Sequence, residues 1–104
     1  MMYGLKDGHI KSIQSVFANY SAISRVILYG SRAKGNYRDS SDIDLSLVGK
    51  DLNLSLLLKI ENELDDLLLP YKIDLSVYQL IENHDLTDHI DRVGTVFYEK
   101  AKSE

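Results

Sequence analysis

The same four residues, Ile-Asp-Leu-Ser, occur twice in this chain, at positions 43–46 and 73–76. In both copies polar and apolar residues alternate, which is typical of a β-strand with one face in the core and one polar face. The alternation extends over Asp42–Val48 and Lys72–Tyr78. The chain is therefore predicted to build a sheet in which both copies present an aspartate on a polar strand face.

Asp42 lies two residues before Asp44, so both side chains point to the same side of the strand, roughly 6.5–7 Å apart. If the two strands lie close together, Asp74 joins them. Clustered carboxylates repel one another, and hard divalent cations such as Mg²⁺ neutralise them. Two such ions can clamp an in-line phosphoryl displacement. The alternative is a solvated strand face, which is the simpler interpretation of Asp74 alone, although acidic residues are disfavoured in strands.

The remaining segments predict helices on either side of a small sheet. A continuously apolar run with a strand composition is expected to be buried on both faces, and helical spacing of apolar residues marks the helices. The predicted elements are a helix over Gly8–Tyr20, a strand over Arg25–Tyr29, a helix over Asn53–Leu69 capped by Asn53 and stopped by Pro70, a helix over Asp85–Val93 closed by Gly94, and a last strand over Thr95–Tyr98. The fold class is therefore α/β (α+β) with a small mixed sheet flanked by helices.

The helix at 53–69 has an unusually narrow polar stripe, formed by Lys59, Asn62, Glu63 and Asp66. These residues are spaced at i, i+3, i+4 and i+7, and nearly all others on the helix are Leu or Ile. Such a helix is either deeply packed or meets a partner chain along part of its surface.

Length and charge exclude several classes of protein. With 104 residues and a formal net charge of −4, the chain is expected to form a single domain, 1–104, without a separate acceptor domain. It lacks the basic stripe of a general duplex-binding protein. It contains no cysteine, no N-terminal signal sequence and no apolar run of the ~20 residues that span a bilayer, so a cytoplasmic location is expected.

The segment Tyr29–Gly35 is a candidate phosphate cradle. Gly30 allows close backbone approach to a ligand, and the turn that follows offers free N–H groups to an anion. Ser31 adds a hydroxyl, while Arg32 and Lys34 add positive charge. A plain turn is the alternative for the glycine and serine, and a solvated surface position is the alternative for the two cations.

Ten residues separate Ser31 from Asp42, which gives the combined pattern Gly30-Ser31-x10-Asp42-x-Asp44. This pattern resembles the signature of the DNA polymerase β-type nucleotidyltransferases. The chain is similar to their minimal, single-domain members over about residues 26–77, with Ala33 and Gly35 also matching the usual glycine-serine segment. The third carboxylate of the family falls on Asp74, and residues 90–98 resemble the closing helix and glycine-containing tail of the family.

The resemblance implies a Mg²⁺-dependent enzyme that transfers a nucleotidyl group, with ATP expected as substrate, and releases pyrophosphate. Gly30 and Ser31 would hold the β- and γ-phosphates, with Arg32 and Lys34 as further phosphate contacts. Asp42 and Asp44 would bind two metal ions. Asp74 would bind the metal at the attacking hydroxyl and take its proton.

The resemblance also implies a partner. Minimal members are often antitoxins of a helical HEPN-type protein encoded alongside, with which they form a hetero-oligomer, and adenylylation of a toxin tyrosine is the implied chemistry. Two other functions remain open: a catalytically silent module that neutralises its partner by contact, and a nucleotidyltransferase acting on a small molecule or a nucleic-acid end. The base preference is not determined by these residues.

Two secondary features have simpler interpretations. His84 with Asp88, or Asp85 with His89, has i, i+4 spacing that could hold zinc on a helix, but no third ligand is evident nearby, and ordinary polar helix positions are favoured. Tyr29 is interpreted as a core or pocket-edge residue that could shape a nucleotide pocket.

Overall fold

A computed structural model describes residues 1–101 of the chain. Along these described residues helices and strands alternate, with a 3₁₀ turn at Tyr78–Leu80. The helices and strands are α1 (Asp7–Ala18), β1 (Arg25–Tyr29), α2 (Gly30–Lys34), β2 (Ile43–Val48), α3 (Leu54–Asp65), β3 (Ile73–Val77), α4 (His84–Val93) and β4 (Thr95–Glu99). The predicted α+β class, a small mixed sheet flanked by helices, is confirmed.

The four strands form one sheet in the order β3-β2-β1-β4. β1 is antiparallel to both of its neighbours, whereas β2 and β3 are parallel. In the parallel pair Ile43 lies opposite Ile73 and Leu47 lies opposite Val77, so the two Ile-Asp-Leu-Ser copies run side by side, residue for residue. Parallel neighbours need a crossover connection, and α3 provides it.

The core lies between one face of the sheet and helices α1 and α3. Phe17 of α1 is fully buried and packs edge to face on Phe97 of β4, with ring centroids 6.5 Å apart. On the opposite face α4 packs against β1, where Ile90 is buried and Gly94 lies against the side chain of Ile27. This opposite face carries the polar side chains of β2 and β3.

The predicted helix over 53–69 begins as expected but ends early. The side chain of Asn53 caps it by accepting a hydrogen bond from the N–H of Leu56 at 2.9 Å. The helix ends at Asp65, and Leu68 has a left-handed backbone with φ of 54°. Leu69 directly precedes Pro70, and a residue in that position avoids helical geometry, so the chain leaves the helix before it and turns to enter β3. The pattern of leucines alone therefore overestimated the helix length.

Gly94 also differs from its predicted helix-ending conformation. Its backbone is extended, with φ of −66° and ψ of 146°, rather than left-handed. The chain passes directly from α4 into β4, and a Cβ at this position would clash with the carbonyl of Ile90 and with the side chain of Ile27. Close packing, and not a left-handed turn, requires the glycine.

α3 leaves part of its apolar surface exposed. Ile60 and Leu64 are buried, but Leu54 and Leu58 are 65% and 60% exposed. Residues 1–101 therefore do not cover the helix on all sides, which excludes uniform deep packing within this part of the chain. None of the helices in the same residues has the length and apolar character of a bilayer-spanning segment.

Candidate active site

The register of the sheet places the predicted carboxylates together. Tyr29 lies opposite Asp44, and Asp44 lies opposite Asp74. These three residues form a row across β1, β2 and β3 on the face away from the core. Neighbouring strands are about 4.8 Å apart, so Asp44 and Asp74 lie next to each other. Asp42 immediately precedes β2, where the amide N–H of Ile43 donates to the carbonyl of Lys72 at 2.9 Å.

The cluster has an excess of negative charge. Burial raises the pKa of Asp44 above its usual value, and the charges of Asp74 and Asp42 raise it further, while His89 acts in the opposite direction. Within residues 1–101 the ion pair is formed by the N-terminus and Asp7, away from these carboxylates. Among the described residues, no salt bridge therefore reaches these carboxylates.

Gly30 fits against Asp44. Its backbone is left-handed, with φ of 73°, and a Cβ at this position would clash with Oδ2 of Asp44. A residue with a side chain would have to accept an unfavourable backbone conformation and also displace the carboxylate. The predicted phosphate-binding glycine and a predicted metal-binding aspartate therefore adjoin, although thirteen residues lie between them in the sequence.

Ser31 and Lys34 belong to α2, which starts directly after β1. The residue before the helix, Tyr29, provides no side-chain cap. Ser31 is half-buried, and its carbonyl accepts the N–H of Gly35 at 2.9 Å, which closes the helix. Lys34 is exposed in the last turn. Ser31 thus directly follows the glycine that lies against Asp44, and Lys34 lies at the exposed end of the same helix.

Arg32 is placed differently from the predicted phosphate contact. Its side chain is only 2% exposed, and its guanidinium donates to the backbone carbonyls of Tyr3, Asp39 and Ser41. All three guanidinium nitrogens are engaged in these bonds. Because the donors point at the chain's own carbonyls, Arg32 is not presented to a ligand, and this corrects the expectation from sequence.

Two aromatic side chains complete the surroundings of the carboxylates. Tyr29 is 7% exposed, and its ring packs edge to face on His89 with centroids 6.2 Å apart. Burial raises the pKa of Tyr29, the nearby Ser76 side chain acts in the opposite direction, and the charges of Asp44 and Asp74 raise this pKa further. Tyr29 was predicted to be a core or pocket-edge residue, whereas a position of His89 beside the carboxylates was not predicted.

The position of His89 could have been found from the phase of α4. Leu86, Ile90 and Val93 mark the side of the helix that faces the sheet, since each is buried or half-buried. His89 lies three residues after Leu86 and four before Val93, so it borders that side. Its nearness to Asp44 still required the tertiary structure, because 44 residues lie between them in the sequence. His84 is exposed.

The donor set suits a magnesium ion. In the part of the chain that the structure describes, no three His, Cys, Asp or Glu side chains converge as a ready-made metal site. Mg²⁺ typically binds only one or two protein carboxylates and fills its remaining positions with water and substrate phosphate. The carboxylate oxygens and the raised pKa of Asp44 fit an ion of this kind.

Comparison with known sequences finds a match that includes the candidate site residues. The family model described as "Polymerase beta, Nucleotidyltransferase" matches residues 11–103. A protein of Methanocaldococcus jannaschii named "Putative protein adenylyltransferase" is 41% identical over 69 residues, which are 62% of this chain and 54% of that protein. The chain thus spans about half the length of this relative.

Two crystal structures share the fold. A toxin-antitoxin with AMP-PNP matches with a TM-score of 0.70 and 20% identity, covering 92% of this chain and 75% of that chain. A complex of the tri-AMPylated Shewanella oneidensis HEPN toxin with an MNT antitoxin matches with a TM-score of 0.68 and 16% identity, covering 92% and 74%. At such identities the likeness establishes the fold alone.

The family match covers most of the chain. It includes the glycine-serine segment and the three carboxylates Asp42, Asp44 and Asp74. The fold, the spacing of the motif and the sequence match agree, and the chain belongs to the polymerase beta nucleotidyltransferase family.

Proposed function

We propose that the chain transfers AMP from ATP to a hydroxyl group, that of a tyrosine on a HEPN-type helical toxin, and thereby acts as an antitoxin. The observation that carries the proposal is the pairing of Asp44 with Asp74 beside Gly30. A named adenylyltransferase relative and two toxin-antitoxin fold neighbours support the choice of AMP and of a toxin as acceptor.

In the proposed reaction the acceptor hydroxyl oxygen attacks the α-phosphorus of ATP. The bond from that phosphorus to the oxygen bridging the α- and β-phosphates breaks, and pyrophosphate leaves. The proton of the hydroxyl passes to the Asp74 carboxylate. Asp74 is exposed, so an acceptor side chain from another protein can reach it.

The other residues of the site bind and orient the nucleotide. Gly30 and Ser31 would hold the β- and γ-phosphates at the start of α2, and exposed Lys34 would contact the same phosphates. Asp42, Asp44 and Asp74 would hold Mg²⁺, which on binding supplies charge neutralisation for the phosphates and the carboxylates. Positioning and electrostatics would account for most of the catalysis, because no covalent intermediate is needed.

The net charge of the chain is compatible with the proposed partner. With a formal net charge of −4, the chain favours association with a basic protein, such as one that binds RNA. Leu54 and Leu58 add exposed apolar surface on α3. Formation of a hetero-oligomer with a HEPN-type protein is therefore part of the proposal.

The test uses ATP labelled at the α-phosphate or, separately, at the γ-phosphate, with Mg²⁺, the chain and the helical protein encoded beside it. Label from the α position on the partner, and none from the γ position, is expected. Label from the γ position alone would indicate a kinase and would refute the proposal. A tight complex without label would favour the contact-only antitoxin.

Matched variants connect the result to the site. Asp42→Asn should abolish transfer without loss of partner binding, whereas Asp51→Asn, which removes an exposed carboxylate beyond the other end of β2, should leave transfer unchanged. Full neutralisation of the partner by Asp42→Asn would contradict a catalytic antitoxin. Parallel reactions with GTP, CTP and UTP would determine the base preference, and label on a free small molecule or an RNA end would identify the third candidate function.

A further inference from the structure

Among the described residues, Arg32 has the side chain with the most hydrogen bonds. Its Nη1 donates to the carbonyl of Tyr3 at 2.9 Å, and its Nη2 donates to the carbonyls of Asp39 and Ser41 at 3.1 and 2.9 Å. Its Nε also donates to the Ser41 carbonyl, at 3.1 Å. The guanidinium carbon lies 5.3 Å from the ring centroid of Tyr37 and 5.2 Å from that of Tyr71.

The bonded groups lead directly to the candidate catalytic carboxylates. The Ser41 carbonyl, which receives two of the four hydrogen bonds, belongs to the peptide group that joins Ser41 to Asp42. Tyr71 lies three residues before Asp74 on the approach to β3. Arg32 itself follows Ser31 in α2. One buried side chain thus links the phosphate-binding segment to the entries of β2 and β3.

The N-terminal segment completes the surroundings of Arg32. Tyr3 and Gly4 both have left-handed backbones, with φ of 57° and 73°, and a Cβ on Gly4 would clash with the ring of Tyr37. This turn directs the Tyr3 carbonyl to Arg32. The guanidinium is thereby held by carbonyls from two separate backbone segments, the N-terminal turn and the loop before β2, and has little freedom to move toward a ligand.

We propose that Arg32 is a positioning residue that fixes Asp42 and Asp74 relative to Gly30 and Ser31. The inference rests on the proposed function in assigning catalysis to those carboxylates. The role requires arginine, because the planar guanidinium donates in several directions while its faces stack on aromatic rings. Lysine would keep the charge but could form neither the paired bonds to Ser41 nor the double stack.

The experiment compares Arg32→Lys and Arg32→Met with Arg38→Met. Arg38 is an exposed arginine in the loop whose carbonyls accept hydrogen bonds from Arg32. Its variant therefore removes an equal charge without removing the buried hydrogen bonds. Three quantities are measured on the full chain: hydrogen exchange of the peptide containing residues 35–43, binding of Mn²⁺ alone, and kcat and KM for ATP with the partner present. Tyr37→Leu, which removes only one ring from the stack, is a milder variant in case the Arg32 variants fold poorly.

Both Arg32 variants should speed exchange in residues 35–43 and weaken Mn²⁺ binding by about tenfold, the size of effect seen when groups that orient metal ligands are removed. kcat should fall by about 100-fold, as for a misplacement of about 1 Å, while KM for ATP changes little. Arg38→Met should match the wild type, and Tyr37→Leu should show smaller changes of the same kind.

A different pattern would overturn the inference. Retained kcat in Arg32→Lys together with a raised KM for ATP in Arg32→Met would show a direct phosphate contact. Faster loop exchange with unchanged Mn²⁺ binding and kcat would show that the bonds of Arg32 stabilise the loop without positioning the carboxylates. If the wild type binds Mn²⁺ in an Arg32-dependent way but transfers no label, the proposed function fails while the positioning of the carboxylates stands.

Discussion

Replacing Gly30 with alanine tests whether its contact with Asp44 matters for catalysis. Gly30 and Gly35 bracket α2, and both have left-handed backbones, with φ of 73° and 88°. An alanine at either position adopts a conformation unfavourable for L-residues. Their surroundings differ, because a Cβ at Gly30 would clash with Oδ2 of Asp44, whereas a Cβ at Gly35 has no neighbour within 4 Å. The pair therefore separates backbone strain from displacement of the carboxylate.

The strain is similar at the two positions. A left-handed backbone costs an L-residue about 1–2 kcal/mol, and the reduced freedom of the unfolded chain offsets about 0.4–1 kcal/mol of this. A net loss of about 1 kcal/mol lowers Tm by about 4–8 °C in a domain of this size. Because Oδ2 of Asp44 is at the end of a side chain that can rotate, relieving the clash should add little to the loss of stability at Gly30.

The effect on catalysis should differ between the two variants. Ordinary contact distances begin near 3.4 Å, so the Asp44 oxygen must move by about 1 Å to accommodate the new methyl group. A displacement of that size can lower the rate by about 100-fold. Gly30→Ala should therefore lose most of its transfer activity, while Gly35→Ala should keep activity close to that of the wild type at a temperature where both are folded.

The assay combines thermal unfolding followed by circular dichroism with initial rates of transfer of the α-phosphate label. Similar falls in Tm with a large difference in rate are expected. Equal rates in the two variants would refute the reasoning, since the Asp44 carboxylate would then be insensitive to a group placed against it. A much lower Tm for Gly30→Ala alone would show that Asp44 cannot rotate away.

Three further predictions concern stability in the absence of divalent ions. The pKa of Asp44 is raised by burial and by its neighbouring carboxylates, so the stabilising contribution of its protonated form is present below the unfolded pKa of 3.8 and is lost as the pH rises through the folded pKa. Asp44→Asn should therefore raise Tm at neutral pH but not below pH 3.8. A lower Tm at neutral pH would contradict this prediction. Ser76 donates to the fully buried hydroxyl of Ser46 at 3.0 Å, so Ser76→Ala should cost about 1 kcal/mol in urea unfolding, and an unchanged midpoint would show that this bond contributes nothing. Phe17 is fully buried against Phe97, so Phe17→Ala should cost about 3–5 kcal/mol, and a loss below about 1 kcal/mol would mean that the core closes around the change.

Most of the secondary structure could be predicted because it depends on local patterns. Strand β1 was predicted with its observed bounds, and β2 and β3 were each predicted within one residue at either end. Alternation of apolar residues directly determines which side chains of a strand face the core. The end of α3 could not be predicted in this way. The leucines after Asp65 fit the apolar pattern of a longer helix, but in the structure they form a turn that packs partly onto the core.

The candidate site was predictable in part. The pairs Gly30–Ser31 and Asp42–Asp44 lie within fifteen residues, and the resemblance of their combined pattern to the family signature implied a shared site. Placing Asp74 beside Asp44 required a parallel register between strands thirty residues apart. The alternation of apolar residues keeps Asp74 on the polar face, but a two-residue shift would preserve that face and move Asp74 away from Asp44, and no local pattern excludes it.

The amino-acid sequence by itself determined the elements, the polar faces of β2 and β3, and the chemistry available on those faces. Only the tertiary structure decided which groups meet: His89 with Tyr29 beside the carboxylates, and Arg32 with three backbone carbonyls instead of a phosphate. A charged side chain on a short helix can face a ligand or the protein interior, and its own residue type does not distinguish the two. Arg32 faces inward because loop carbonyls and two tyrosine rings from distant segments converge where its guanidinium lies.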